Sequence, residues 1–185
     1  MGENVAKRLK NQDCTISWSR ACEIFGNPQP PTSVWEKQFD YCDDDLKRLA
    51  NTPYEQMHFS DLWYYYHDLA YVELQAELFA YLFPVCLMDW HFSLMRNEGC
   101  SHGDSEFHRG IYQGKIFQKM LTAQQLEEVC EFFRDSFMER LRGEPEFKQA
   151  QQIGNDLPEC QDLLKVRINE LPALLRSPDS TSWTV

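Results

Sequence analysis

The sequence predicts an all-α fold, an irregular single-domain bundle of about six or seven helices, on three observations. Two capping-box signatures are present, proline and glycine punctuate the apolar runs, and apolar residues recur at intervals of three and four. No run of five alternating residues reads as a strand. At 185 residues the chain is long enough to bury a sizeable core without metal or disulfides. The expected domain covers residues 1–176, followed by a polar tail over 177–185.

The elements follow in order. Residues 14–25 predict a first helix, stopped by Asn27-Pro28-Gln29-Pro30-Pro31. Ser33-Val34-Trp35-Glu36 matches a capping box, and Trp35, Phe39, Cys42, Leu46 and Leu49 then share one face until Thr52-Pro53. Ser60 and Asp61 suit the next start, since a hydroxyl caps free amides and a carboxylate favours the positive end of a helix. From there two helices are expected, near 60–71 and 75–95, with Pro84 breaking or kinking the second. A further helix should run from about Asp104 to Met120, after a polar stretch with several glycines. Thr122-Ala123-Gln124-Gln125 is the second capping box, and Leu126, Val129, Phe133, Phe137 and Leu141 form a stripe that ends at Gly143 and Pro145. A last amphipathic helix is expected over 158–175.

Charge excludes some functions. Eighteen Lys and Arg stand against 29 Asp and Glu, a net charge of -11, with no basic stripe to follow a phosphate backbone. Nucleic acid is not an expected partner. The apolar stretch Leu78–Met88 ends at Asp89, short of the ~20 residues a spanning helix needs, so no membrane span is expected. The N-terminus has no signal-peptide core, and a cytosolic location follows by default. Seven cysteines, none spaced Cys-x-x-Cys, read as reduced thiols.

Two regions carry candidate chemistry. Between Arg48 and Arg96, 47 residues hold no Lys or Arg but six carboxylates and 12 of the 25 aromatics, including Trp63-Tyr64-Tyr65-Tyr66. Much of this is core material. Yet residues i and i+2 lie about 200° apart on a helix, so consecutive aromatics cannot all face inward. Asp61, Trp63, Tyr64, Tyr65 and Asp68 are therefore the expected contact residues for a basic protein partner, aromatics supplying area and carboxylates steering. No cofactor is needed for that role.

The alternative is a metal-binding protein or metal-dependent hydrolase. Cys100, His102, Asp104, Glu106 and His108 occupy alternate positions; in an extended segment they would share a face, and Cys100, His102, Asp104 and His108 could hold zinc. Zinc with an open position would activate a water, with Glu106 as base. A helix starting at Asp104 would dissolve the set. The single Glu55-x-x-His58 lacks the second copy and facing carboxylates that a di-iron site requires. Neither a phosphate-binding glycine loop nor a Gly-x-Ser-x-Gly elbow occurs.

The string Leu74-Gln75-Ala76-Glu77-Leu78-Phe79-Ala80-Tyr81-Leu82-Phe83-Pro84, followed by the Leu121-Thr122 helix start, resembles small acidic bacterial proteins of uncharacterised families across residues 60–142. The resemblance implies an all-α bacterial cytosolic protein and brings no catalytic residue with it. Proteins of that size and charge include immunity proteins, which neutralise basic toxins by binding them, so an immunity or inhibitor role is the expectation it adds.

Overall fold

The computed structural model describes residues 18–35, 43–96 and 102–143. These are 76% helical, with seven α-helices and no β-strand among them, so the fold is all-α. The helices are α1 (Trp18–Glu23), α2 (Asp43–Ala50), α3 (Trp63–Tyr71), α4 (Ala76–Arg96), α5 (His102–Tyr112), α6 (Ile116–Met120) and α7 (Ala123–Gly143). Two 3-10 turns, Tyr54–Gln56 and Phe59–Leu62, connect α2 to α3. By packing the chain divides into two compact units, residues 1–125 and 126–185. The expected helix over 158–175 and the tail lie outside the described residues.

In the first unit α4 is the central element, because every residue from Tyr81 to Met88 is buried. Two full turns without a solvated side require neighbours all round. Phe79 and Phe83 stack at 4.5 Å, Phe25 lies edge-on to both, and Phe107 of α5 sits 5.9 Å from Phe83. A second aromatic column sits under the first turns, where Tyr54 stacks on Tyr81 at 4.5 Å and meets Trp18 edge-on. Both phenols of that column are satisfied: the Tyr54 hydroxyl donates to the Tyr81 carbonyl and the Tyr81 hydroxyl to the Thr52 carbonyl, each at 2.8 Å.

Pro84 lies inside α4 and does not break it. The helix runs through it to Arg96. Proline removes one amide donor, but eight successive buried side chains hold the surrounding turns in place, and that packing outweighs one missing hydrogen bond. By length and composition the Ala76–Met95 portion is apolar enough to cross a membrane, and 72% of its most apolar window is buried inside the protein. A core helix passes the same test.

Two boundaries differ from the sequence reading for identifiable reasons. Ser33 to Trp35 are not helical. The Gln75 side chain takes the place of a neighbouring strand there, donating to the Ser33 carbonyl at 2.8 Å and accepting from the Trp35 amide at 3.1 Å. Glu36, the other half of the expected capping box, lies outside the described residues. The helix expected from Asp104 to Met120 is two helices, α5 and α6, because Lys115 adopts a left-handed conformation (φ 54°) between them.

The glycines before that break are packing positions rather than loop markers. A Cβ on Gly110 would lie 2.7 Å from the Leu69 Cβ, and one on Gly114 would lie 1.9 Å from the Leu69 carbonyl oxygen. The α5 backbone rests directly on the end of α3, and only glycine permits that approach. This contact is the most extensive between any two described helices.

The second capping box forms as expected. The Gln125 amide donates to the Thr122 hydroxyl at 3.2 Å, and the Thr122 amide donates to the Gln125 side-chain oxygen at 3.1 Å. Thr122→Ala should therefore lower stability by about 1 kcal/mol in urea titrations, with an unchanged m-value. Along α7 the buried stripe is Val129, Cys130, Phe132, Phe133 and Ser136, whereas Phe137, expected to be apolar core, is exposed.

Candidate functional site

Helix α3 divides its four consecutive aromatics by rotation. Starting from Trp63, steps of 100° place His67, Tyr71 and Tyr64 within an arc of about 100°, with Tyr65, Leu69 and Tyr66 on the opposite side. Exposure follows this phase: Trp63 is 46%, Tyr64 36% and Tyr71 48% accessible, whereas Tyr65 is 1%. Of the six exposed large hydrophobic residues among those described, three belong to this nine-residue helix. Tyr112 of α5 is a fourth.

The outer face is organised by polar contacts with α5. The Arg109 guanidinium donates to the Tyr71 hydroxyl at 3.2 Å and to Glu106 Oε1 at 2.9 Å. His67 packs against the Tyr71 ring at 4.5 Å, its Nδ1 lying 3.8 Å from Glu106 Oε2. Glu106 is buried and holds the Arg109 end of this chain, so Tyr71 is oriented from two sides. Beside Tyr71, the Val72–Leu74 connection, Gly114, Lys119 and Met120 line a cavity of about 510 Å³.

Of the five expected contact residues, Trp63 and Tyr64 lie on this face. Tyr65 and Asp68 do not, since each is 1% accessible and neither presents surface to a partner. Asp61 is half-buried and occupied locally: its Oδ2 accepts the His58 amide at 3.1 Å and its Oδ1 lies 3.9 Å from Arg48. Carboxylates open to solvent in the segment are instead Glu55, Glu73 and Glu77. The sequence reading did not single out Tyr71, His67, Arg109 or Tyr112. The spacing of Trp63, His67 and Tyr71, four residues apart each time, was the available signal.

Asp68 has the least ordinary environment of these residues. Both of its carboxylate oxygens are buried without a hydrogen-bond partner. Burial, with the Asp43 charge of α2 beside it, pushes its pKa up to about 7. Tyr66, by contrast, is well satisfied, its hydroxyl donating to Asp89 of α4 at 2.7 Å.

The alternating strip follows a different geometry from the extended one that metal binding would use. From His102 onward it is helical, which turns alternate positions by 200° rather than bringing them to one face. Cys100 and the side chains of His102 and Asp104 lie outside those described, Glu106 is committed to Arg109, and His108 is exposed. Among the described residues no group of three or more His, Cys, Asp or Glu is arranged to hold a metal. The described cysteines, Cys22, Cys86 and Cys130, are free and buried. Burial raises the Cys22 thiol to about 12 and the Cys86 thiol well above its ordinary range, which keeps both protonated and unreactive.

No protein-family model matches the chain, and neither curated proteins nor solved structures show significant similarity to it.

Proposed function

We propose that the protein is a non-enzymatic protein-binding module that engages a basic partner through the outer face of α3, in the manner of an immunity or inhibitor protein. One observation carries this reading: Trp63, Tyr64 and Tyr71, all large and all exposed, fall within one narrow arc of a single short helix. Solvated helices rarely spend three such residues on water, and aromatic side chains give contact area at low entropy cost. Arg109 holds Tyr71 in place beforehand, which reduces the ordering cost of binding. The net charge of -11, together with exposed Glu73 two residues after Tyr71, favours a cationic partner surface and a salt-sensitive encounter.

The test is site-specific photo-crosslinking in cells of the organism that encodes the chain. A crosslinker replacing Tyr64 should yield one discrete adduct with a basic protein, absent when the crosslinker replaces exposed Ser19 of α1. Equal adducts from both positions, or none from Tyr64, would overturn the proposal.

A further inference from the structure

The cavity at the end of α3 has a mixed wall that contact through exposed aromatics does not call on. It lies wholly within the first unit. Ala70 and Tyr71 come from the last turn of α3, Val72, Glu73 and Leu74 form the connection to α4, and Gly114, Lys119 and Met120 supply the rest. At about 510 Å³ it falls within the roughly 300–1,000 Å³ usual for small-ligand sites. The wall carries two opposite charges. Glu73 and Lys119 are both exposed, and neither forms an ion pair among the described residues. The Val72 amide donates to the Asp68 carbonyl as the last bond of α3, so the carbonyls of Ala70 and Tyr71 come after it. The negative end of the helix dipole therefore falls on the same part of the wall as Glu73.

Charge selects the ligand by elimination. A phosphate or other simple anion would meet Glu73 and the negative helix end with a single lysine to hold it. A simple cation would be repelled by Lys119, and a neutral apolar molecule would leave both charges unused. A zwitterion matches the whole wall: a carboxylate for Lys119, an ammonium for Glu73 and the end of α3, and a short apolar body for Ala70, Val72, Leu74 and Met120. We propose that this cavity binds a free α-amino acid with an apolar side chain. Tyr71 borders both this cavity and the outer face of α3, but the proposal does not rest on the partner-binding reading, and either can hold without the other.

L-leucine is the probe, titrated into the isotope-labelled full chain in mildly acidic buffer and followed by NMR. The backbone amides of Val72, Glu73 and Gly114 should shift together and saturate, with a dissociation constant at or below about 1 mM. N-acetyl-leucine lacks the ammonium and leucinamide lacks the carboxylate, so each should bind at least about tenfold more weakly than leucine. Glu73→Gln should erase the discrimination against N-acetyl-leucine, and Lys119→Met the discrimination against leucinamide. Both side chains are exposed, so both variants should keep the fold. A merely structural role for either residue would not move these ratios. No saturable shift at the three amides, saturation centred elsewhere on the chain, or N-acetyl-leucine or leucinamide binding as tightly as leucine would each overturn the site. Full discrimination retained in both variants would overturn it as well.

Discussion

Gly114→Ala is expected to destabilise the protein by about 3 kcal/mol or more, the upper range for inserting a methyl group where none fits. The added carbon would meet the Leu69 carbonyl oxygen at 1.9 Å and the Gly110 carbonyl oxygen at 2.7 Å. Both are backbone atoms, so no rotamer change relieves the overlap. Helix α5 would have to lift off α3, opening the Tyr66–Phe107 contact beneath it. Thermal melts should show a large fall in midpoint. The lesion should also disturb the orientation of Tyr71, because Arg109 reaches that residue from α5. Gly110→Ala meets the Leu69 Cβ at 2.7 Å, which no rotamer change moves either, but the overlap is smaller and the cost should be less.

The second large effect has the opposite sign. Above the pKa of about 7 to which burial raises Asp68, Asp68→Asn should stabilise the protein by about 1–2 kcal/mol, because it removes an uncompensated buried charge while keeping the shape of the side chain. The new amide also supplies a donor on the helix packed beside Asp43, whose Oδ1 is unpartnered. Paired urea titrations of the two chains measure the difference directly. A loss of stability on this substitution above pH 7 would mean that Asp68 makes a favourable contact not accounted for by its surroundings.

The fold class was legible because it rests on local signals. Capping at Thr122-Gln125 and the division of consecutive aromatics into inner and outer sets both follow from spacing along the chain. What escaped depends on residues distant in sequence. Gly110 and Gly114 look like loop punctuation until Leu69 is placed against them. Ser33 looks like a helix cap until Gln75 arrives to hold its carbonyl, and Pro84 looks like a break or kink until the surrounding core outweighs it.

The exposed face of α3 was half legible for a related reason. That some of Trp63, Tyr64 and Tyr65 must face outward follows from helical geometry, but which ones depends on the helix phase, and that is set by the packing of Leu62, Tyr66 and Leu69. Choosing Tyr65 over Tyr71 was a phase error. The same error placed Asp68 on the surface, where its charge would have steered a partner, rather than beneath it beside Asp43.

The central claim is that the outer face of α3 binds a protein partner, and paired substitution on that face tests it most directly. Trp63→Ala and Tyr71→Ala remove exposed side chains and should leave the circular dichroism spectrum and melting temperature close to those of the natural chain. Each should weaken binding of the basic protein captured from position 64 by about tenfold or more, roughly the 1.4 kcal/mol or greater expected of an interface anchor. Affinity unchanged in both variants, with the fold intact, would contradict the account.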